Sequence, residues 1–267
     1  MAMRDDERNI SSSMGRGFSI LSALAQLTSQ EPFSASVQEV AHALGRERSQ
    51  ISRTLSALAS KHLVVRGDDQ RYRLAWSWYA AAQELTQRRL RTIGLSVLDE
   101  LADTVGEACF IGTLQGDATL TIVESIPSTA RMIGSWVGRA YPAFCSDAGQ
   151  AVLWDASDDE VRSVFARTEF TSRGPNAPRS VEDFLERLHE SRTRGFVIVD
   201  QEAEPGLYSI SAPVRDFRSE VVAAIQIVGE RDALLPRTQD FAAHCVTAAN
   251  GLSRAIGAPA RADTDVG

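Results

Sequence analysis

The sequence predicts an α+β protein, with a small helical region at the N-terminus and a larger region of mixed helices and strands after it. Three observations support this prediction. Amphipathic helical patterns crowd the first 75 residues, and short apolar strand patterns alternate with helices from residue 94 onward. Between them, residues 75–93 lack Gly and Pro and are rich in Ala, Gln, Glu and Arg, which favours one stiff helical linker.

The bulk composition is that of an ordinary globular protein. With 43% hydrophobic and 24% charged residues among 267, the chain is long enough to bury one large core or two modest ones. No apolar run approaches the roughly 20 residues that a membrane-spanning helix needs. Residues 1–13 are polar and lack the apolar stretch of a signal peptide. We therefore expect a cytoplasmic protein that has no membrane partner.

The N-terminal region has the start and stop signals of two successive helices. Apolar residues spaced i, i+1, i+4, i+7 predict a helix over about 17–30. Ser36, with Glu39 three residues later, matches a capping box and predicts a second helix over 36–44. Gly45 then provides the turn that ends this helix.

A third helix and a hairpin complete the region. The pattern of residues 47–62 predicts the helix, and Gly67 with two following aspartates predicts a turn between short strands within 63–74. Helix, helix, turn, helix and hairpin is the order of a winged helix-turn-helix, in which the third helix enters the major groove of DNA.

The polar residues of this module are the candidate DNA contacts. Arginine and glutamine read guanine and adenine edges, and arginines on a hairpin contact phosphates. The candidates are Arg48, Ser49, Gln50, Ser52 and Arg53 in the third helix and Arg66, Arg71, Tyr72 and Arg73 in the hairpin. Residues 14–75 hold 8 basic against 5 acidic residues in a chain of net charge −7, which agrees with a DNA-binding end. A three-helix module with a solvated face that contacts other proteins is the alternative.

The larger region reads as an α/β sandwich with a mostly antiparallel sheet. Strands are predicted at 108–114, 119–126, 196–200, 208–214 and 221–229. Helices are predicted at 96–106, 146–154, 158–167, 180–193 and 236–256.

No motif for catalysis, metal binding or a cofactor is present. The chain lacks a dinucleotide fingerprint, a phosphate-binding loop, a nucleophile elbow and a zinc-protease motif. Its three cysteines are far apart and are expected to be free, buried thiols. We therefore expect no catalytic residue, no metal, no cofactor and no enzymatic activity.

One segment of the larger region predicts a ligand site. Residues 146–150 run from a Pro-containing loop into a predicted helix, and free backbone N–H groups at a helix start attract anions. A metabolite with a carboxylate would suit this position. A capped helix without any ligand is the alternative.

Three stretches of the chain resemble the IclR-type bacterial transcriptional regulators. They are GRGFSILSAL (15–24) with the helix-turn-helix that follows, VGRAYPAFCSDAGQAVL (137–153) and TRGFVIVDQEAEPGLYSISAPVRDFRSEVVAAIQIVG (193–229). The third is the most specific, because it matches the family's Arg-Gly-aromatic, Pro-Gly-Leu, Ala-Pro-Val and Ala-Ala-Ile elements in order and spacing. The resemblance covers about residues 15–258.

The resemblance implies a domain plan and partners. The plan is a disordered arm (1–13), a DNA-binding domain (14–75), a dimerising linker helix (76–93), a GAF-like effector domain (94–258) and a disordered tail (259–267). The implied partners are double-stranded operator DNA, a small-molecule effector and further copies of the chain, in dimers or tetramers made of two dimers. Members of the family repress or activate operons for the uptake or catabolism of organic acids, often aromatic ones.

The resemblance also places the effector pocket. Its candidate residues here are Ile133, Phe144, Ser146, Asp147, Ala148, Val199, Asp200, Ser209, Gln226 and Val228. Members that bind very small oxoacids have an Asp, a Cys and two Ser where this chain has Val199, Ser209, Gln226 and Val228; Phe144 and Gln150 replace a His and a Lys.

These replacements predict a ligand other than a very small oxoacid. Leaving a buried polar group of the ligand without a partner costs about 1–3 kcal/mol, so we expect an acid with a larger, apolar body. Its carboxylate is expected at the N–H groups near Asp147 and Ala148, oriented by Ser209 and Gln226. The alternative for the whole chain is a protein-interaction or small-molecule-binding module without sequence-specific DNA recognition.

Overall fold

The computed structural model describes residues 13–28, 32–130, 135–171 and 173–259. The chain folds into two compact units, Met1–Leu85 and Thr86–Gly267. The division falls within the predicted linker helix. Nearly all of the predicted arm (1–13) and tail (259–267) lies outside the described residues, as does the predicted effector residue Ile133.

The N-terminal unit has the predicted order of elements. It comprises α1 (Ser13–Leu27), α2 (Val37–Leu44), α3 (Arg48–Ser60), β1 (Val64–Arg66) and β2 (Tyr72–Leu74). The two strands pair in an antiparallel hairpin. The helices pack around a buried core that includes Ile20, Leu24, Val40, Ile51 and Leu55.

The predicted capping box at the start of α2 is confirmed. The Ser36 hydroxyl accepts the N–H of Glu39, and a Glu39 carboxylate oxygen accepts the N–H of Ser36 at 2.6 Å. At the other end, Gly45 has φ +58°, a left-handed conformation that glycine adopts without a Cβ clash. These local signals fix the angle at which α3 follows α2.

One helix replaces two predicted ones. The linker helix of 76–93 and the separate helix of 96–106 are a single helix, α4 (Trp76–Val105, 30 residues). Gly94 does not break it. A Cβ on Gly94 would lie 2.6 Å from Cδ1 of Ile111, so the glycine lets the helix approach the sheet closely.

The larger unit is built on a six-stranded antiparallel sheet of order β5-β4-β3-β8-β7-β6. The strands are β3 (Ala108–Gln115), β4 (Ala118–Ser125), β5 (Ala140–Pro142), β6 (Val197–Asp200), β7 (Leu207–Arg215) and β8 (Val221–Glu230). The edge strand β5, only three residues long, was not predicted.

Five helices accompany these strands. They are α5 (Gly149–Val152), α6 (Asp158–Val164), α7 (Val181–Arg194), α8 (Arg231–Leu234) and α9 (Thr238–Ala255), with a 3₁₀ turn (Leu235–Arg237) before the last. The predicted helix of 146–154 is thus a single turn. No helix in the described ranges is long and apolar enough to cross a bilayer.

The two faces of the sheet differ in chemistry. One, here called the apolar face, presents residues such as Ile111, Ile210 and Ile225 to α4 and α9. The other, here called the cavity face, carries residues between them in sequence, such as Ser209 and Gln226. Because side chains alternate along a strand, one set of strands serves both a core and a site.

Candidate functional site

Helix α3 presents a polar face opposite its buried one. Ile51 and Leu55 are buried in the core of the N-terminal unit. Arg48, Ser49 and Arg53 are exposed, whereas Gln50 and Ser52 are half-buried, and these five are the predicted base-contacting residues. The Arg53 guanidinium makes only a long hydrogen bond, 3.4 Å, to the Ser49 carbonyl of its own helix. The face thus offers hydrogen-bonding groups to a groove of DNA.

The hairpin residues divide into two groups. Arg66 and Arg73 are exposed at its strands, as phosphate contacts require. Arg71 is instead held within the unit, because its guanidinium donates to the Ser34 hydroxyl (3.1 Å), the Ser34 carbonyl (2.8 Å) and Glu39 (2.8 Å). Arg71 therefore ties the hairpin to the start of α2.

The prediction that the Tyr72 side chain lies at the DNA surface is wrong. Tyr72 is only 1% exposed and belongs to the core of the N-terminal unit. Its backbone forms a bridge with Ala35, and Arg66 lies 5.6 Å above its ring. The tyrosine supports the hairpin from beneath.

A cavity of about 60 Å³ lies on the cavity face of the larger unit. Its lining residues come from β3, β4, β5, β7 and β8 and from the loops that follow β4, β5 and β6. They are Phe110, Gly112, Thr119, Thr121, Trp136, Arg139, Tyr141, Ser146, Asp147, Ala203, Glu204, Leu207, Gln226 and Val228. Arg139 and Glu204 are exposed, so the cavity opens to solvent beside them, whereas Ser146 and Gln226 are buried deeper inside.

Asp147 is the main charged group of the cavity interior. The buried Ser209 hydroxyl donates to its Oδ1 at 2.6 Å. Burial raises the pKa of Asp147 to about 6, and the charge of Glu204 adds to this rise, although the Ser209 hydrogen bond favours the ionised form. At neutral pH the cavity therefore holds an acceptor that is costly to keep charged.

Two buried polar atoms of the cavity lining have no hydrogen-bond partner among the described residues. They are the Ser146 hydroxyl oxygen and Nε1 of Trp136. Ser146 is only 5% exposed. Since buried polar groups nearly always have partners, these two atoms indicate that a ligand or ordered water completes the cavity.

Close packing shapes the loop that carries Ser146 and Asp147. A Cβ on Gly149 would lie 1.7 Å from the Ala143 carbonyl oxygen, so no other residue fits there without a rearrangement of the loop. Helix α5 begins at this glycine and has only four residues, and the residue before it, Ala148, provides no side-chain cap. The anion site predicted at this helix start stays a prediction, and the single turn behind it contributes little dipole.

Four predicted effector residues do not line the cavity. Phe144, Ala148 and Val199 are buried in the second apolar core, where Phe144 contacts the Phe170 ring at a centroid distance of 4.7 Å. Asp200 points elsewhere and pairs with Arg231 at 2.7 Å. These assignments came from the resemblance to the family, which does not specify the direction in which each side chain points.

Of the other predicted effector residues, four line the cavity and one contacts a lining residue. Ser146, Asp147, Gln226 and Val228 line it, and Ser209 acts through its hydrogen bond to Asp147. Gly112 makes room for Gln226, since a Cβ there would lie 2.7 Å from Nε2 of the glutamine. Gln150 is not in the cavity; its amide oxygen accepts the Ser191 hydroxyl at 2.7 Å.

Sequence reasoning missed the aromatic and basic side of the cavity. Arg139 lies over the Trp136 ring at 5.2 Å, and the Tyr141 hydroxyl donates to the Ala203 carbonyl at 2.9 Å. These residues lie in and beside the short strand β5, in a segment without clear periodicity. The only signal was the density of aromatic and basic residues over 136–141, which surface loops also show.

The comparison with protein families establishes the chain's relationships. A family model described as "Bacterial transcriptional regulator IclR C-terminal" matches residues 82–254, about two thirds of the chain. The chain belongs to the IclR family of bacterial transcriptional regulators. The resemblance inferred from the sequence is confirmed.

IclR-family relatives match over different lengths. The Pca regulon regulatory protein of Pseudomonas putida is 32% identical over 132 residues, which cover 49% of this chain and 45% of the relative. The match thus spans about half of that relative. The transcriptional regulator KdgR of Escherichia coli K12 is 25% identical over 261 residues, 95% of both chains.

A solved structure shares the fold. The IclR of Thermotoga maritima superposes with a TM-score of 0.59 and 20% identity, over 92% of this chain and 98% of that one. The predicted α+β class, with a helix-turn-helix region and a C-terminal domain built on an antiparallel sheet, is confirmed.

Proposed function

We propose that this chain is a sequence-specific DNA-binding regulator whose affinity for operator DNA is set by a small organic acid. The observation that carries the DNA-binding part is the polar face of α3. Arg48, Ser49 and Arg53 are exposed to solvent there. The opposite side of the helix is buried through Ile51 and Leu55. Arginine and glutamine on such a helix contact base edges. Arg66 and Arg73 on the hairpin would contact the flanking phosphates.

The experiment is a fluorescence anisotropy titration of a duplex from upstream of the chain's own coding region. Arg53→Ala and Gln50→Ala should each weaken binding by about 1–3 kcal/mol and relax base preference at one position. Arg162→Ala, an exposed arginine of the larger unit, is the matched control and should leave binding unchanged. Equal affinity for a scrambled duplex would favour the alternative, a module without sequence-specific recognition.

The effector part of the proposal is supported by the cavity. Phe110, Trp136, Leu207 and Val228 supply apolar and aromatic walls. Arg139 supplies a positive charge at the opening, which suits the carboxylate of an organic acid. The cavity of about 60 Å³ is smaller than the roughly 150 Å³ that encloses benzene, so an aromatic body would extend towards the opening.

A thermal-shift panel of aliphatic and aromatic acids tests the effector. An acid at 100 times its dissociation constant should stabilise the folded chain by about 2.7 kcal/mol. We expect Arg139→Gln to abolish the shift. If no acid stabilises the chain, the effector is not an organic acid, whereas the DNA-binding proposal is tested independently above.

The regulated target is proposed to be a small set of genes for one compound class. One relative is named for the Pca regulon, and another, from Salmonella typhimurium, is an acetate operon repressor. The resemblance to the family implies a homodimer, or a tetramer of two dimers, on DNA. Leu85 and Leu95, 49% and 44% exposed on α4, are the residues we would place at the contact between copies, and light scattering of a Leu85→Glu variant tests this.

A further inference from the structure

The cavity has polar groups of opposite character at its two ends. The interior has the Asp147 carboxylate, an acceptor of hydrogen bonds. The opening has the exposed guanidinium of Arg139, the one cationic group among the described lining residues, beside the exposed carboxylate of Glu204. A ligand that fits both ends must have a hydrogen-bond donor where it meets Asp147 and an acceptor where it meets Arg139.

The interior end is poorly suited to a carboxylate. Asp147 is ionised or partly so near neutral pH, and the charge of Glu204 at the opening is close enough to raise the pKa of Asp147 further. Ser209, which would otherwise donate to a ligand, already donates to Asp147 at 2.6 Å. An anion brought into the interior would face these charges with few donors to offset them.

The opening suits a carboxylate. Arg139 lies over the Trp136 ring at 5.2 Å, and Nε1 of Trp136 is a buried donor without a partner among the described residues. A carboxylate at the opening would accept from the guanidinium. The unpartnered hydroxyl of Ser146 lies in the interior with Asp147 and can donate to, or accept from, a ligand hydroxyl.

We infer that the effector is a hydroxy acid that binds with its hydroxyl group inward, donating to Asp147, and its carboxylate outward at Arg139. This inference rests on the proposed function and adds the class and orientation of the ligand. Asp147 acts as the residue that distinguishes acids with a donor group from acids without one. A binding site that accepts a hydrogen bond rejects the analogue that lacks the donor, because its own acceptor is then left unpaired.

The test is isothermal titration of the full chain with pairs of acids that differ by one hydroxyl. The pairs are lactate and propionate, 3-hydroxybutyrate and butyrate, and 3- or 4-hydroxybenzoate and benzoate. In the pair that fits the cavity, we expect the hydroxylated member to bind at least tenfold more tightly. Arg139→Gln should weaken both members of that pair.

Asp147→Asn decides the orientation. The substitution is nearly isosteric and removes a costly buried charge, so the variant should fold. With the hydroxyl inward, a charge-assisted hydrogen bond becomes a weaker neutral one to the amide oxygen, so the variant should weaken the hydroxy acid and narrow the difference between the two members of the pair. Tighter binding of both members would overturn the inference, because it would show that the carboxylate lies beside Asp147. Ser209→Ala, which keeps the carboxylate, should retain the preference for the hydroxy acid.

The two proposals fail in different ways. Equal binding of both members by the parent chain would overturn the hydroxyl-inward inference and leave the acid effector in place. Absence of binding by every pair would overturn the acid effector and this inference together, while the DNA titration would still report on the regulator.

Discussion

The two faces of the six-stranded sheet use the same strands for opposite purposes. On the apolar face, neighbours such as Ile225 and Ile227 are fully buried among aliphatic and aromatic side chains. On the cavity face, the residue between them is Gln226, and opposite it on β7 lies Ser211. Burying polar groups costs free energy unless they have hydrogen-bond partners. The cavity face therefore stabilises the fold less than the apolar face does.

This contrast locates the functional part of the fold. A face selected only for stability would bury the same apolar residues on both sides of β7 and β8. The cavity face instead keeps Ser209, Ser211 and Gln226 buried, together with Asp147 above them. This pattern is typical of a binding site that is complete only when a ligand is present.

The greatest loss of stability is expected on the apolar face. Ile225→Ala should lower the free energy of unfolding by about 2–5 kcal/mol, because it opens a cavity in a closely packed core. Urea unfolding followed by circular dichroism measures this. For a matched comparison, Val214→Ala on the apolar face and Val228→Ala on the cavity face remove the same two methyl groups, and Val228→Ala should cost less because its side chain already borders empty space. Equal losses from the two valine variants would contradict the division between the faces.

A smaller and pH-dependent effect is expected at Asp147. Its pKa is about 6 in the folded chain against a usual value of 3.8, so the folded state holds the proton more tightly than the unfolded state. The resulting stabilisation is fully present below about pH 4 and is lost as the pH rises through about 6. Asp147→Asn should therefore match the parent at low pH and exceed its stability by at most about 3 kcal/mol at pH 8.

Melting temperatures of the parent and Asp147→Asn between pH 4 and 8 check this prediction. Burial also raises the pKa of Glu202 to about 7, despite the neighbouring Arg187 guanidinium, so Glu202 titrates in the same range. The charge of Asp147 adds to this rise, so the contribution of Glu202 differs between the two proteins, and we make the comparison at each pH in a Glu202→Gln background. If the stability difference between the two proteins is the same at every pH, burial does not raise the pKa of Asp147.

The mildest change is expected at Ser211. Its buried hydroxyl oxygen has no hydrogen-bond partner within the described part of the chain. Ser211→Ala removes an unpaired polar atom and should leave stability unchanged or raise it by about 1 kcal/mol. The measurement is urea unfolding without added acid. A loss greater than about 1 kcal/mol would mean that the hydroxyl has a partner, such as bound water, in solution.

The sequence predicted elements whose signals are local. The capping pair Ser36 and Glu39, the turn at Gly45 and the apolar runs that form β7 and β8 each depend on neighbours within a few residues, and the structure contains each of them. The sequence did not predict that the two helices join into α4, because Gly94 is tolerated only through its contact with Ile111, which lies on a later strand.

The candidate site was predicted in part for the same reason. Ser146, Asp147 and Gln226 lie on segments with strong family signatures, whereas Trp136 lies outside them, and Arg139, although it lies in the stretch 137–153, stands beside an edge strand of three residues without clear periodicity. Val199 was assigned to the pocket but lies in the core, since the resemblance to the family does not specify the direction in which its side chain points. Which atoms are left unpartnered is a property of the packed structure and has no counterpart in the sequence.

The proposed effector control requires that ligand binding in the cavity and DNA binding alter each other's affinity. We would measure the anisotropy of the upstream duplex with the full chain, with and without a saturating concentration of the acid that binds best in the paired titrations. We expect the DNA affinity to change about 5- to 150-fold, and the acid affinity to change by the same factor when DNA is present. This coupling should persist in the Arg162→Ala control. Tight binding of both ligands, with neither altering the affinity of the other, would contradict effector control.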